Sequence, residues 1–258
     1  MIDIGANLAH DSFDADRDAV LARSREAGVE AIVVTGSSRE SSRKALELAQ
    51  AHPRMLYATA GLHPHHASEY SPEHEALFRD LAQQAEVVAL GECGLDYFRN
   101  LSPHADQRRA FTSQLALAAE LKKPVFLHQR DAHADFLPIL KEFRPQLVDA
   151  VVHCFTDSAA ALDDYLALGC CIGITGWICD ERRGTALREA ARRIPDERLL
   201  IETDAPYLLP RTAPKVAHRR NEPMYLPYVA RELALARGQD EAVVRRVTAD
   251  NARRFFRL

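Results

Sequence analysis

The chain alternates between short runs of apolar residues and longer stretches in which apolar residues recur at helical spacing. The short runs are bounded by turn residues, which is typical of strands buried on both faces of a parallel sheet. We predict eight strands, at residues 2–4, 31–35, 55–60, 87–90, 124–127, 150–152, 171–174 and 199–201. We predict helices at residues 14–27, 39–51, 72–84, 104–121, 131–143, 158–168 and 182–193, and from residue 223 onward.

Eight strands that alternate with helices predict an α/β fold, a (β/α)8 TIM barrel, with a doubly wound sheet as the lesser alternative. A length of 258 residues fits one such barrel, and 47% hydrophobic residues supply a large core. The sequence contains no repeat, low-complexity tract or linker. We therefore expect a single domain over residues 1–258.

Composition excludes some classes of protein. The 33 basic and 37 acidic residues give a formal charge of −4, so no overall basic field indicates a polyanionic partner. Five cysteines without a C-x-x-C pair fit reduced thiols better than a disulfide framework or a structural zinc site. No signal peptide and no apolar span of membrane length are evident, so we expect a soluble, cytoplasmic protein.

Residues able to bind a metal ion follow four of the predicted strands. Glu92, His128, His153 and Asp204 come after the fourth, fifth, sixth and eighth strands. In a barrel the carboxyl ends of all strands open onto one face, so these side chains should meet there. A single histidine after a strand is usually a hydrogen-bonded loop residue, but four residues in register favour a site for a divalent cation. The sequence thus indicates a metal-dependent hydrolase.

The sequence segments around these four residues resemble those of a known protein family. They read Gly-Glu-Cys-Gly-Leu-Asp at 91–96, His-Gln-Arg-Asp-Ala at 128–132, His-Cys-Phe-Thr at 153–156 and Glu-Thr-Asp-Ala-Pro-Tyr at 202–207. They resemble the signature segments of the TatD family, metal-dependent deoxyribonucleases of the amidohydrolase superfamily. Residues 61–65 and 219–223 extend the resemblance over the whole chain, and residues 172–184 resemble the family's namesake.

The resemblance implies a barrel of the metal-dependent hydrolase type. It implies a Mg²⁺-type cation held by Glu92, His128 and His153, with Asp204 beside it. The implied reaction is 3′-to-5′ exonuclease action on DNA, with single strands preferred, RNA as a further substrate and a role in DNA repair or degradation. We expect a monomer that does not act at a membrane. By coordination chemistry alone, Mn²⁺ or Zn²⁺ fits the same ligands.

One stretch departs from the family pattern. Most members carry His-x-His after the first strand, and these histidines bind a second metal. Here the stretch is Gly5-Ala6-Asn7, in which glycine offers no ligand and asparagine only a neutral oxygen. The number of metals is therefore open, and we prefer one firmly bound ion, with a second recruited alongside the substrate phosphate.

Roles can be proposed for two further side chains. Asp204 either accepts a proton from a water activated by the metal or serves purely as a ligand. His63 contacts the scissile phosphate or the ion, or else is a structural turn histidine before Pro64. We expect His65 and His66 to face solvent.

A basic segment follows the eighth strand and should border the site. Its cations can bind backbone phosphates, and they are Arg211, Lys215, Arg219 and Arg220. The alternative is that they pair with acidic neighbours such as Glu222. Arg130 either holds a phosphate or pairs with an acidic neighbour close to Asp131. Four aromatic residues in neighbouring loops are candidates for stacking on bases, namely Tyr97, Phe98, Trp177 and Tyr207.

Two other functions remain open at this point. The same barrel and ligands fit a hydrolase of an ester or amide such as aminoacyl-tRNA, because an activated water attacks a carbonyl carbon as well as a phosphorus. The missing His-x-His pair also fits a non-catalytic binding barrel with a decayed site. The intact set of Glu92, His128, His153 and Asp204 argues against decay.

Overall fold

A computed structural model of the chain describes residues 1–182, 184–214 and 219–258. Its strands form one parallel sheet in which each strand pairs with the next along the chain. The strands are β1 (Ile2–Ala6), β2 (Ala31–Val34), β3 (Leu56–Ala60), β4 (Val87–Asp96), β5 (Val125–Arg130), β6 (Ala150–Val152), β7 (Cys171–Ile174) and β8 (Leu199–Ile201). The α-helices are α1 (Arg17–Glu26), α2 (Arg39–Ala51), α3 (Pro72–Ala82), α4 (His104–Leu121), α5 (His133–Phe143), α6 (Ala159–Ala167), α7 (Thr185–Ala191), α8 (Leu226–Arg237) and α9 (Glu241–Phe256).

The barrel closes where β1 and the residue after it meet the chain segment after β8. The backbone N–H of Asp204 donates to the carbonyl of Gly5 (2.8 Å), and that of Asn7 donates to the carbonyl of Ala205 (2.6 Å). The buried carboxyl of Asp3 adds a side-chain link, because it accepts the backbone N–H of Thr203 at 2.9 Å. These contacts confirm the predicted (β/α)8 barrel.

Alternation along the strands divides the core into two clusters. One cluster fills the barrel and includes Phe126, Val151 and Leu200, with Phe255 of α9 packed beneath them. The other lies between the strands and the surrounding helices, and it includes the neighbours of those residues, such as Leu127. The side chain two positions after an interior residue also points inward, toward the mouth of the barrel.

The predicted ends of the fourth and fifth strands, at residues 90 and 127, were wrong. Both strands continue side by side, and Gly94 pairs with His128 beyond a bulge between Leu90 and Cys93. Glycines at 91 and 94 allow this, because a Cβ at Gly94 would overlap the carbonyl oxygen of His128. Glu92 and His128 therefore lie within strands, where the backbone ladder fixes their direction.

Two predicted helices were too long by a full turn or more, and three others exceed the observed helices by two residues. The prediction at residues 14–27 fails at its start, because Asp11–Phe13 form a 3₁₀ turn and Asp14 pairs with Arg17 and Lys44 instead. The prediction at residues 182–193 shortens to α7, and Arg183 lies outside the described residues.

We predict that Gly94→Ala is among the most damaging small substitutions in the chain. Gly94 has a φ of +150°, which L-residues rarely adopt, and an added Cβ would also overlap backbone atoms of β5. Strain and overlap together should lower the free energy of unfolding by about 3 kcal/mol or more. Urea denaturation measures this change.

Gly28→Ala is the matched control. Gly28 also has a positive φ, +83°, but no atom lies within 4 Å of an added Cβ. It should cost only about 1–2 kcal/mol, from backbone strain alone. Equal losses in the two variants would show that the close approach of β4 to β5 does not limit residue 94.

Candidate metal centre

Strand alternation brings the predicted side chains to one point at the barrel mouth. His128 lies two residues after Phe126, and His153 lies two residues after Val151, so both imidazoles continue the inward-facing rows of β5 and β6. Glu92 reaches the same point from β4. The side chains are 17%, 4% and 9% exposed, respectively.

One carboxylate oxygen is the centre of the group. Glu92 Oε1 lies 2.9 Å from His128 Nδ1, 2.8 Å from His153 Nε2 and 3.4 Å from His63 Nε2. Burial alone would raise the pKa of Glu92, but the charge of the facing imidazoles outweighs burial and holds this pKa well below its ordinary value. The same contact with Glu92 raises the pKa of His153 although burial opposes it. Residues up to 61 positions apart in sequence thus share one atom.

A second buried carboxylate, which the sequence analysis overlooked, fixes His153. Glu202 is fully buried, and its Oε2 accepts a hydrogen bond from His153 Nδ1 at 3.3 Å. Its Oε1 accepts the backbone N–H of Cys154 at 2.6 Å. With Nδ1 turned to Glu202, Nε2 of His153 faces Glu92. Alternation from the interior Leu200 would have indicated that residue 202 points inward.

Asp96 faces the far nitrogen of His128, as Glu202 faces the far nitrogen of His153. Asp96 is 1% exposed, and its Oδ2 lies 3.4 Å from His128 Nε2 and 2.8 Å from His65 Nε2. The expectation that His65 faces solvent was therefore wrong, because its imidazole is only 30% exposed and binds a buried carboxylate. His66 does face solvent, where it pairs with Glu69.

His63 differs from His128 and His153 because the ring nitrogen that points away from Glu92 contacts a backbone N–H and not a carboxylate. Its Nδ1 accepts the backbone N–H of His65 at 3.1 Å, which caps a 3₁₀ turn that begins at Pro64. An imidazole that accepts at Nδ1 carries its proton on Nε2, so His63 Nε2 presents a donor to the site. Burial lowers the pKa of His63 to about 4, which favours this neutral form. The structure thus shows His63 as a turn residue whose Nε2 also faces Glu92, and its contact with a phosphate or an ion stays a prediction.

Asp204 stands at the edge of the group, where the chain leaves β8. Its Oδ1 accepts a hydrogen bond from Asn7 Nδ2 at 3.0 Å. Burial raises the pKa of Asp204 to about 7, and the nearby charge of Glu92 adds to this rise while His153 opposes it. The segment that replaces His-x-His thus contributes a donor to Asp204. The space beside Gly5 holds the carboxylate of Glu202, which an added Cβ would overlap.

Comparison with known proteins identifies the family. The chain matches the model of the TatD related DNases over residues 2–257. The chain belongs to this family. It is 54% identical over 259 residues to a protein of Erwinia tasmaniensis and 52% identical to one of Musicola paradisiaca, both named 3′-5′ ssDNA/RNA exonuclease TatD. These matches cover all of this chain and 100% and 98% of the two relatives.

Solved structures of TatD proteins have the same fold. A TatD homologue from Escherichia coli K12 superposes with a TM-score of 0.91 at 29% identity and covers 100% of this chain and 98% of its own. A TatD family hydrolase from Entamoeba histolytica gives 0.89 at 26% identity, with coverage of 99% and 97%. These matches confirm the predicted family and the hydrolytic nuclease class. No α-helix in the described part of this TatD chain is both long and apolar enough to cross a membrane.

The cations of the predicted binding rim of this TatD protein divide into different environments. Arg220 is engaged internally: it bonds Asp16 Oδ2 at 2.7 Å and Glu222 Oε1 at 2.8 Å, which is the pairing given as the alternative. Arg211 is exposed but pairs with Asp180 at 2.8 Å. Lys215 lies outside the described residues.

The other two cations of the rim, Arg219 and Arg130, differ in exposure and in what they contact. Arg219 is exposed, and the ion pairs between described residues do not include it. The guanidinium of Arg130 lies 3.9 Å from the centre of the Phe98 ring, so it stacks on an aromatic residue rather than pairing near Asp131. Phe98 and Tyr207 are the exposed candidates for stacking, at 56% and 52%.

Tyr97 is not available to a base in this structure. Its ring stacks on His104 at 3.5 Å, and its hydroxyl donates to Asp135 at 2.7 Å.

We predict that Arg220→Met lowers stability in a pH-dependent way. The hydrogen bond from Arg220 lowers the pKa of Asp16 from 3.8 to about 2. Because the folded-state pKa is depressed, this stabilisation is present above about pH 4 and is lost as the pH falls through about 2. Asp16 is partly exposed, so solvent screening limits the difference from wild type to about 1 kcal/mol at neutral pH.

Urea denaturation between pH 2 and pH 7 measures this difference. Arg219→Met is the control, since this exposed neighbour should show no such pH-dependent loss. A difference for Arg220→Met that stays constant down to pH 2 would contradict the assigned pairing with Asp16.

Proposed function

We propose that this chain is a metal-dependent 3′-to-5′ exonuclease that prefers single-stranded DNA, also accepts RNA and serves in DNA repair or degradation, as a single domain over residues 1–258. The relatives that carry the name 3′-5′ ssDNA/RNA exonuclease TatD support the substrate and the polarity. The observation that carries the chemistry is the convergence of His128 and His153 on one oxygen of Glu92, at 2.9 and 2.8 Å.

The donor set fits a divalent cation. Histidine ligands of metals usually donate their second N–H to a carboxylate, which fixes the ring and the tautomer. His153 has Glu202 behind it, and His128 has Asp96 behind it, so each imidazole presents its other nitrogen toward Glu92. In addition, the buried His128 Nε2 makes no hydrogen bond to the described residues and lies 3.4 Å from Asp96, which leaves room for the geometry to tighten.

Glu92, His128 and His153 would hold the cation, with Asp204 beside them. Distance alone also groups His63 with Glu92 and His128, since their donor atoms lie within 4.8 Å of one another. The hydrogen bond that His63 Nδ1 accepts argues against His63 as a ligand, because its Nε2 then carries a proton. We propose that His63 donates this proton in a hydrogen bond to an oxygen of the scissile phosphate.

The proposed cation is Mg²⁺. Mn²⁺ can substitute for it, and the same ligands would also fit Zn²⁺. When bound, such a cation offsets negative charge on the phosphoryl oxygens and makes a nearby water easier to deprotonate. Asp204 accepts the proton of the attacking water, and the hydrogen bond from Asn7 holds its carboxylate in place. Gly5 and Asn7 offer no strong ligands, so we propose one firmly held ion.

We predict that Glu92→Gln abolishes both tight metal binding and turnover. The substitution keeps the size of the side chain but removes the charge that two imidazoles face. Loss of a residue that only hydrogen-bonds a metal ligand lowers metal affinity by roughly 10–100-fold. Because Glu92 would be a ligand itself, the affinity for Mn²⁺, measured by calorimetry, should fall by more than this. Stepwise shortening of 5′-labelled single-stranded DNA from its 3′ end should cease.

Asp18→Asn is the control for the loss of one charge, because the Asp18 side chain on α1 is 94% exposed. It should bind Mn²⁺ and shorten DNA like the wild type. Wild-type Mn²⁺ affinity in Glu92→Gln would remove Glu92 from the proposed centre. An inert oligonucleotide alongside cleaved aminoacyl-tRNA would replace the exonuclease with an ester hydrolase, and a wild-type protein that binds no metal and cleaves neither would favour a binding barrel.

We predict a milder defect for Glu202→Gln. Glutamine keeps one acceptor oxygen, but its amide group then faces either His153 Nδ1 or the Cys154 N–H, both of which are donors. His153 is therefore held less firmly, and Mn²⁺ affinity should fall by about 10–100-fold. Because Glu202 acts through His153, saturating Mn²⁺ should restore most of the rate, unlike in Glu92→Gln.

Glu222→Gln is the matched control, because Glu222 is also buried but pairs with Arg23 and Arg220 away from the imidazoles. Its Mn²⁺ affinity should be that of the wild type. If Glu202→Gln binds Mn²⁺ as tightly as the wild type, the carboxylate does not position His153.

A further inference from the structure

A pocket of about 890 Å³ opens beside the candidate metal centre, on the side of β8 and β1. Its wall includes His10, Tyr207 and Arg219, and its volume is in the range of cavities that hold small molecules. The metal donors and Asp204 are not part of its lining, so it is a neighbouring compartment rather than the centre itself.

Two backbone hydrogen bonds connect this pocket directly to the reacting end of the site. The N–H of Tyr207 donates to the carbonyl of Asp204 at 2.9 Å, and the N–H of His10 donates to the carbonyl of Asn7 at 2.9 Å. Asn7 and Asp204 are themselves joined through their side chains. The pocket therefore begins two residues beyond Asp204, at Pro206, and three residues beyond Asn7, at His10.

The chemistry of the wall suits a nucleoside with its phosphate. The ring of Tyr207 is 52% exposed and is held edge-to-face against His10, with ring centres 6.0 Å apart. Exposed aromatic rings of this kind stack on nucleobases with little preference for sequence. Arg219 adds an exposed cation that can meet a phosphate or a sugar oxygen.

A network of ion pairs lines the side of the pocket away from Asp204. Arg220 bonds Asp16 and Glu222, and Arg23 bonds Glu222 at 2.9 Å. All four residues line the pocket. Because the charges of these four side chains already satisfy one another, they form a wall of paired charges and offer a longer strand no row of unpaired cations.

The opposite side of the mouth differs. Phe98 follows β4 and Arg130 ends β5, and these strands lie across the eight-stranded barrel from β8 and β1. Phe98 and the nearby Leu101 are 56% and 67% exposed, so this rim is an open surface. A strand that crosses the mouth thus meets an open rim on one side of the metal donors and a walled pocket on the other.

We propose that the pocket holds the 3′-terminal nucleotide of the substrate, with its base stacked on Tyr207, while the remaining strand leaves over Phe98 and Arg130. This assignment rests on the proposed exonuclease function. It explains why attack would occur at an end: a walled pocket for one nucleotide beside Asp204 accepts a terminus, whereas an open groove on both sides would accept an internal bond.

The test compares two 5′-labelled single-stranded oligonucleotides that differ only at the 3′ end. One ends in an ordinary nucleotide and the other in a tetrahydrofuran residue that lacks a base. For Tyr207→Ala we expect KM of the first cleavage to rise about tenfold with the ordinary end and to change less than twofold with the abasic end. Tyr207→Phe keeps the ring and should reverse most of the KM increase that Tyr207→Ala causes with the ordinary end.

Phe98→Ala is the matched control, because it removes an equally exposed ring from the opposite rim. It should change KM for both oligonucleotides by the same factor. Arg219→Ala should likewise weaken binding of both, and it should reduce the slope of log K against log salt by about one unit. Urea denaturation of each variant separates a local effect from a loss of folding.

The outcomes distinguish this assignment from the proposed function. Equal effects of Tyr207→Ala on the two oligonucleotides, with active wild-type enzyme, overturn the terminal-nucleotide pocket and leave the exonuclease standing. A selective effect of Phe98→Ala on the ordinary end would reverse the direction of the strand and overturn the assignment. A wild-type protein that removes nothing from either 3′ end overturns both proposals.

Discussion

The site depends on two imidazoles that are each held between two buried carboxylates. His128 lies between Glu92 and Asp96, and His153 lies between Glu92 and Glu202. Buried ionisable groups are costly unless they are paired, so each of these side chains needs its partners in place. The lowered pKa of Glu92 and the raised pKa of His153 are two expressions of the same pairing. The arrangement also fixes which ring nitrogen faces the centre, and this makes it suitable for a cation.

Glycines make this pairing sterically possible. At Gly94 the backbone of β4 comes so close to that of His128 that no Cβ fits between them. At Gly173 an added Cβ would lie 2.6 Å from Glu202 Oε1, and at Gly5 it would overlap the other oxygen of the same carboxylate. The absence of a side chain at residue 5, which looks like the loss of a ligand in the sequence, is thus also the space in which Glu202 supports His153.

The sequence predicted the architecture well because it depends on local patterns. The bounds of α2, α4, β7 and β8 were predicted to the residue, since turn residues and apolar periodicity mark them directly. The partners of long polar side chains were harder to predict. Asp96 and Glu202 escaped notice because their roles arise from contacts with His128 and His153, 32 and 49 residues away, and a pattern along one strand does not contain such contacts. The turn role of His63 and its proposed role in the site could not be separated either, because they belong to different nitrogens of one ring.

The neighbouring arginines 219 and 220 show how one basic segment can serve two purposes. Arg219 has a φ of +52°, which turns the chain so that its side chain projects outward while that of Arg220 turns in beneath Phe13, Asp16 and Glu222. The basic cluster in the sequence left open whether each arginine binds phosphate or pairs with an acidic neighbour. Ion pairing leaves Arg220 to form a wall and Arg219 to face the pocket. Among the residues that the structure describes, positive charge is therefore limited at the place where Tyr207 is exposed. A short terminal unit held mainly by stacking fits this distribution better than a long stretch of backbone held by charge.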